Sequence, residues 1–170
     1  MLRIDPSASI SPLSDLEESV RGTAIVIGAH SVVDSFVKIK PAGGAGDLTI
    51  GEHCYINSGC VIYTGNGISI GDNVLLGANV VLAPTNHEYS LQGALIREQG
   101  FQPSRGGIYI GGDVWIGSST VVLDGSRIGD GCVVGAGSVV RGTIPPYSVV
   151  VGNPIRHVGQ RRPPLQPPEY

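Results

Sequence analysis

Aliphatic residues recur at every sixth position along most of the chain. Shorter runs with this period begin at Ile50 and Ile70, and weaker ones cover residues 4–16 and 27–39. The longest run is Ile110, Ile116, Val122, Ile128, Val134 and Val140. A period of six is even, so in extended chain all of these side chains point to one side, whereas it fits a 3.6-residue helix poorly. The pattern predicts short strands joined by tight corners, three strands to a coil of about 18 residues, with stacked coils enclosing the aliphatic residues.

The composition narrows the fold class further. The chain has 170 residues, of which 26 are glycine and 12 are proline, and only 15% are charged. This glycine and proline content excludes helical bundles and coiled coils and favours an all-β fold. The three cysteines occupy the position of the repeat that usually holds a small residue, which predicts buried, reduced thiols.

The period breaks at residues 41–47, at 68–69 and, for longest, at 84–107. The long break predicts one protruding loop with a short helix near 91–99, and a loop of this length inside a regular stack is usually functional. Residues 14–17 (Ser-Asp-Leu-Glu) fit either a helix capping box or the weak N-terminal repeat, and the sequence leaves both open. We expect one domain over residues 1–158 and a proline-rich tail over 159–170.

Charge and hydropathy exclude some classes of protein. The net charge is −3 and there is no stripe of Lys or Arg, so nucleic-acid binding has no support. No apolar run reaches the roughly 18 residues of a membrane span. The N-terminus lacks the apolar core of a signal peptide, and we therefore expect a cytoplasmic protein.

His87 is the strongest candidate for chemistry, because an imidazole can accept a proton near neutral pH. The six-residue repeat resembles that of the hexapeptide-repeat acyltransferases, and the setting of the histidine, Thr85-Asn86-His87, resembles the Thr-x-His of the sugar and polysaccharide O-acetyltransferases of the maltose and galactoside type. The resemblance of the repeat implies a left-handed parallel β-helix, and membership of this family implies a homotrimer. It also implies direct transfer of an acetyl group from acetyl-CoA, with His87 as the general base.

The same resemblance supplies candidates for the acceptor site. Tyr55-Ile56-Asn57 is similar to a Tyr-x-Asn of the galactoside-type enzymes, and it implies that Tyr55 and Asn57 line the acceptor site. Glu88, next to His87, is a further candidate that would orient the imidazole ring.

The candidates for the cofactor site lie toward the C-terminus. Residues 113–118 resemble the family's Trp-Ile-Gly-Ser coil, with the single tryptophan in an outward-facing position of the repeat. Residues 152–156 resemble its terminal Gly-x-Pro-x-Arg, in which the arginine contacts the CoA phosphates. The resemblance implies a CoA site formed by Trp115, Gly117, Ser118, Ala136, Arg141 and Arg156.

The acceptor itself stays open. A hydroxyl of a sugar or polysaccharide precursor is the main hypothesis, and the amine of an amino sugar or nucleotide-sugar is the alternative, because both nucleophiles need the same base. A drug acetyltransferase, a metal enzyme like the γ-class carbonic anhydrases and a non-catalytic scaffold are weaker hypotheses. The four histidines lack the close pair of the anhydrases, so no catalytic metal is expected.

Overall fold

The computed structural model describes residues 1–163, and these form a left-handed parallel β-helix. Each coil contributes one strand to each of three parallel sheets, which are the faces of a triangular prism. The first sheet contains β1 (Leu2–Ile4), β4 (Ile25–Ile27), β7 (Leu48–Ile50), β10 (Ile68–Ile70), β13 (Ile108–Ile110), β16 (Arg127–Ile128) and β19 (Thr143–Ile144). The second contains β2 (Ser9–Ile10), β5 (Val32–Val33), β8 (Tyr55–Ile56), β11 (Leu75–Leu76), β14 (Trp115–Ile116), β17 (Val133–Val134), β20 (Ser148–Val151) and β21 (Arg156–Gln160). The third contains β3 (Asp15–Leu16), β6 (Lys38–Lys40), β9 (Val61–Tyr63), β12 (Val81–Ala83), β15 (Val121–Leu123) and β18 (Val139–Val140). The fold predicted from the repeat is therefore confirmed.

The strands pair so that the repeated aliphatic residues stack inside the prism. On the first sheet, Ile50, Ile70, Ile110 and Ile128 are neighbours across successive coils, and all are buried. Burial of these columns removes their apolar surface from water, which is the main favourable contribution to folding.

Glycine follows many aliphatic residues because the corners of successive coils touch through their backbones. A Cβ atom on Gly28 would lie 2.6 Å from the carbonyl carbon of Gly51, and one on Gly51 would lie 2.7 Å from that of Gly71. No side chain fits in this column. The repeat therefore needs glycine here for packing.

The cysteines are buried and free, as predicted. Cys54, Cys60 and Cys132 each direct the sulfur at backbone carbonyls of an adjacent coil or corner. Burial raises the pKa of the Cys60 thiol to about 11. These thiols fill the stack rather than react.

The structure decides the open question at residues 14–17 and corrects the predicted boundary of the tail. Asp15–Leu16 is a strand, and Lys38 and Lys40 of the next coil lie beside Asp15 and Glu17, so the repeat prevails over the helix. At the other end β21 runs antiparallel to β20 and continues through Gln160, two residues beyond the predicted domain limit. Residues 164–170 of the predicted tail lie outside the described residues.

The three outer faces differ in polarity. The first presents Thr49, Ser69, Tyr109 and Arg127, whereas the second presents the exposed column Tyr55, Leu75 and Trp115. The third presents a column of partly exposed valines, namely Val61, Val81, Val121 and Val139. From residue 48 onward two faces are thus apolar and one is polar, whereas the N-terminal end of the third face presents Asp15 and Lys38.

Candidate functional site

The loop between β12 and β13 leaves the prism at the corner between the third and first sheets, which we call the third corner. Its two arms are joined by backbone hydrogen bonds from Glu88 to Gly100 (3.0 Å) and from Gln102 to Asn86 (2.9 Å). At the tip, the side-chain amide of Gln99 accepts from the Leu91 amide and donates to two backbone carbonyls. The predicted helix over 91–99 is present only as the single 3₁₀ turn Ile96–Glu98.

His87 stands at the base of this loop and is exposed. Its ring lies 4.8 Å, centroid to centroid, from the ring of Phe101 on the returning arm. Both rings border a cavity of about 300 Å³, which Tyr63, Ala83, Thr85, Ala42 and Gly43 complete. Apart from His87, this lining carries no charged or readily protonated side chain, so a neutral imidazole here faces a mainly apolar space.

One wall of the cavity comes from the glycine-rich break at residues 41–47. Gly43 adopts a left-handed φ of 83°, and a Cβ atom on it would lie 2.8 Å from Oγ1 of Thr85. A Cβ on Gly44 would clash with the carbonyl oxygen of Gly65. The segment therefore packs directly on the next turns of the third corner. The sequence located this break, but not its place beside His87.

The Glu88 carboxylate makes no hydrogen bond to the His87 ring within residues 1–163, contrary to the role expected for it. Its carboxylate accepts hydrogen bonds from the backbone N–H groups of Tyr89 (2.7 Å) and Ser90 (2.9 Å). These bonds lower the pKa of the Glu88 carboxyl below its usual value, and the bond from Ser90 has the larger effect. Glu88 thus orders the start of the loop.

Tyr55 and Asn57 lie on another side of the prism from His87. Tyr55 is on the second sheet, where Leu75 separates it from Trp115. Asn57 is at the following corner, between the second and third sheets, which we call the second corner. There its side-chain amide donates to the carbonyl of Leu76 at 2.8 Å. Within one protomer, neither residue lines the cavity of His87.

Four of the cofactor candidates lie on the second sheet or at the second corner. Trp115 points outward and is 54% exposed, as predicted. At the corner itself Ser118 and Ala136 are exposed, while a Cβ on Gly117 would lie 2.5 Å from the nitrogen of Ala136. Stacking of the coils alone therefore requires glycine at 117.

Arg141 borders a cavity of about 310 Å³ at the end of the third sheet, together with Asn153, Pro154 and Ile155. Arg156 follows this turn, at the start of β21, and is exposed. Arg141 and Arg156 are both exposed, so an anion can reach either guanidinium. The candidates of one protomer thus form two groups: His87 and Arg141 lie at the third corner, whereas Trp115, Gly117, Ser118 and Ala136 lie on the second sheet or at the second corner.

Sequence reasoning missed Tyr63 and Phe101, which border the His87 cavity. Phe101 is 14 residues away in a segment without periodicity, so no pattern connects it with His87. Tyr63 had a signal, because it ends β9 one residue before the third corner, in the coil below the loop. Among residues 1–163, no group of three or more His, Cys, Asp or Glu side chains is arranged to hold a metal ion.

Comparison with known families agrees with this architecture. A family of bacterial transferase hexapeptides (six repeats) matches residues 107–142, and the hexapeptide repeat of succinyl-transferases matches residues 47–84. The two matches end on either side of the loop that carries His87. The sequence is matched by no curated protein.

Solved structures share the fold over nearly the whole chain. A mutant of AntD, an N-acyltransferase from Bacillus cereus in complex with dTDP and coenzyme A, is 22% identical with a TM-score of 0.79, over 94% of this chain and 84% of that one. A mutant of perosamine N-acetyltransferase from Caulobacter crescentus, in complex with CoA and GDP-perosamine, is 26% identical with a TM-score of 0.58, over 94% of this chain and 57% of that one. A hexapeptide transferase family protein from Anaplasma phagocytophilum is 16% identical with a TM-score of 0.72, over 95% of this chain and 80% of that one.

Residues 47–84 and 107–142 are therefore hexapeptide repeats of the kind that bacterial transferases carry. The fold of the chain is shared with the N-acyltransferases described above. No helix within residues 1–163 is both long and apolar enough to cross a membrane.

Proposed function

We propose that this protein transfers an acyl group, acetyl in the simplest case, from acyl-CoA to a sugar, and that His87 is the general base. The observation that carries the proposal is the position of His87, whose ring faces an open cavity of about 300 Å³ with otherwise uncharged walls. Among residues 1–163, no hydrogen bond occupies the ring nitrogens, and one of them is therefore available to accept a proton.

The reaction needs no covalent enzyme intermediate. A nitrogen of His87 accepts a proton from the acceptor while the acceptor's lone pair attacks the thioester carbonyl. The new bond to the acyl carbon forms, the carbon–sulfur bond breaks, and the proton leaves with the CoA thiol. General-base catalysis of this kind contributes typically a factor of about 10² to 10⁴.

The amine of an amino sugar is the acceptor that the neighbours favour. AntD is an N-acyltransferase solved with dTDP-4-amino-4,6-dideoxyglucose and coenzyme A, and the other neighbour is a perosamine N-acetyltransferase solved with GDP-perosamine. We therefore place N-acylation of a nucleotide-linked amino sugar ahead of the O-acetylation that the sequence favoured. The Thr85-Asn86-His87 resemblance keeps a sugar hydroxyl as the second candidate.

We assign the acyl donor to the surface that runs from the second corner to the C-terminal end of the prism, where Arg141 and Arg156 lie. Trp115 offers an exposed aromatic surface, Ser118 and Ala136 leave the coil backbone accessible, and Arg141 and Arg156 provide the positive charge that CoA phosphates need in a protein of net charge −3. Such local arginines must offset the overall repulsion of an anionic ligand.

A homotrimer would bring the two groups of residues together. Copies arranged around an axis can cover the apolar second and third faces of each prism and leave the polar first face in water. His87 of one copy would then face Trp115 and the second corner of the neighbouring copy. Light scattering at micromolar concentration should give the trimer mass, and an active monomer would contradict the assembly.

The catalytic assignment is tested with His87→Ala, measured by release of CoA thiol. Turnover should fall by about two to four orders of magnitude while the affinity for CoA is retained. His53→Asn is the matched control, because His53 is also an exposed histidine but lies at a corner with a left-handed φ of 55°, which asparagine tolerates. Turnover of His87→Ala close to that of this control would disprove the role of His87.

The acceptor is tested with a panel of nucleotide-linked amino sugars and their hydroxyl counterparts. If N-acylation is correct, thiol release should require the amino group. Release with the hydroxyl compounds alone would establish O-acylation instead, and release with neither would exclude both acceptor classes.

A further inference from the structure

Asp124 is a buried carboxylate at the third corner, directly after β15. It is only 3% exposed. Its Oδ1 accepts the backbone N–H of Gly107 at 3.0 Å. Its Oδ2 accepts the backbone N–H of Arg105 at 2.8 Å and the side-chain amide of Asn66 at 3.2 Å. One side chain thus joins the returning end of the loop to the coils on both sides of it.

Other aspartates at the corners of the prism make a simpler contact. Each is exposed and accepts a single backbone N–H from a neighbouring coil: Asp47 from Ala24, Asp72 from Glu52, and Asp130 from Gly112. Those bonds tie regular coils together. Asp124 differs because it is buried and because two of its three partners belong to the loop.

The returning end of the loop makes further hydrogen bonds to the coil that contains Asp124. The amide of Gly125 donates to the carbonyl of Gly107 at 2.7 Å, and the guanidinium of Arg127 donates to that of Gly106 at 2.9 Å. Phe101 lies only four residues before Arg105, and its ring rests against His87. The position of residues 105–107 therefore restricts where Phe101, and with it the imidazole, can lie.

We propose that Asp124 is a positioning residue for His87. By fixing the returning end of the loop it holds Phe101 against the ring and keeps the imidazole at the mouth of its cavity. A buried carboxylate satisfied by three N–H donors is well suited to this, because removal of the acceptor leaves those donors unpaired. The inference rests on the proposed function only in taking His87 as the base.

The test is Asp124→Asn, which replaces one acceptor oxygen by an NH₂ group. This group faces a backbone N–H of the loop and cannot accept a hydrogen bond from it. We expect kcat to fall by about ten- to hundredfold through misplacement of the base, with the KM for acetyl-CoA changed by no more than about twofold. Asp130→Asn is the matched control, since it makes the same change at a corner away from the loop, where the amide oxygen can still accept the Gly112 N–H, and it should leave kcat unchanged. A second variant, Asn66→Ala, removes one partner of Asp124 and should give a smaller fall of the same kind.

Two measurements separate positioning from general stability. In the double variant His87→Ala/Asp124→Asn, turnover should equal that of His87→Ala alone, because Asp124 acts through His87. Amide hydrogen exchange of residues 86–102 should become faster in Asp124→Asn and not in Asp130→Asn. Unchanged exchange, or equal losses of kcat in both aspartate variants, would overturn the proposal. If His87→Ala itself retains activity, the proposed function fails, and the exchange experiment still decides whether Asp124 positions the loop.

Discussion

The coils over residues 108–142 and the loop over 84–107 are adjacent in the chain, yet they are built on different principles. In the coils the inward positions are buried aliphatic or small residues, and backbone hydrogen bonds run from coil to coil. In the loop most residues are exposed, including Tyr89, Leu91, Leu95, Ile96 and Phe101. Its conformation depends on side chains, namely those of Gln99, Glu88 and Asp124.

This difference explains where chemistry can be placed. At many coil positions the residue type is fixed by how closely the next coil approaches, as at Gly117, where a Cβ atom would clash with the backbone of the next coil. Most loop residues have no neighbouring coil to fit, so their polar groups are available for a ligand. The matches to known families follow the same division, since they cover residues 47–84 and 107–142 and omit the segment between them.

The sharpest test of this contrast is a pair of equal truncations, Ile116→Ala in a coil and Ile96→Ala in the loop. Ile116 is fully buried, so its truncation should lower the free energy of unfolding by about 2–5 kcal/mol. Ile96 is 56% exposed, and its truncation should change that free energy by less than about 0.5 kcal/mol. Denaturant titrations of both variants measure the difference. Equal losses would mean that the loop belongs to the cooperative core.

The sequence predicted the coils well because one physical requirement repeats in them. A side chain every six residues must fit inside the prism, and a glycine must follow where corners touch, so each coil confirms the pattern of the others. Even the weak N-terminal repeat at Asp15–Leu16 followed this rule against a competing helix signal.

The site was harder to predict because its contacts are made once and join distant segments. Nothing local indicates that Phe101 rests on His87, or that Asp124 binds residues 105 and 107. Proximity in sequence was also misleading for Glu88, whose carboxylate turns to the backbone of the next two residues. His87 and the residues Gly117, Ser118 and Ala136 lie at different corners, and no local pattern indicates this separation.

A moderate effect is expected from Arg156→Ala. This variant tests whether the C-terminal end of the prism binds the nucleotide part of acetyl-CoA. Loss of one arginine–phosphate contact should raise the acetyl-CoA requirement roughly tenfold. The maximal rate should change less, because the phosphates are remote from the reacting carbonyl. Salt should weaken binding by the unaltered protein and narrow the gap to the variant. Equal CoA affinities in low-salt calorimetry would show that Arg156 is only a surface residue.

The smallest effect is expected from Glu88→Gln, although Glu88 is next to the proposed base. Since its carboxylate binds the Tyr89 and Ser90 amides, turnover at neutral pH should stay within about threefold, against the loss of at least about a hundredfold expected for His87→Ala. The pKa of the Glu88 carboxyl is lowered in the folded protein, so the carboxylate contributes fully to loop order above the pKa of an unstructured glutamate. This contribution is lost as the pH falls through the lower pKa of the folded protein. Amide exchange at Tyr89 and Ser90, corrected for its intrinsic pH dependence, should therefore show less protection in acid for the unaltered protein. In the glutamine variant the protection should not vary with pH over this range, because the amide oxygen still accepts but does not titrate. A large loss of turnover in Glu88→Gln, with exchange at these two amides unchanged, would restore Glu88 to a role at the imidazole.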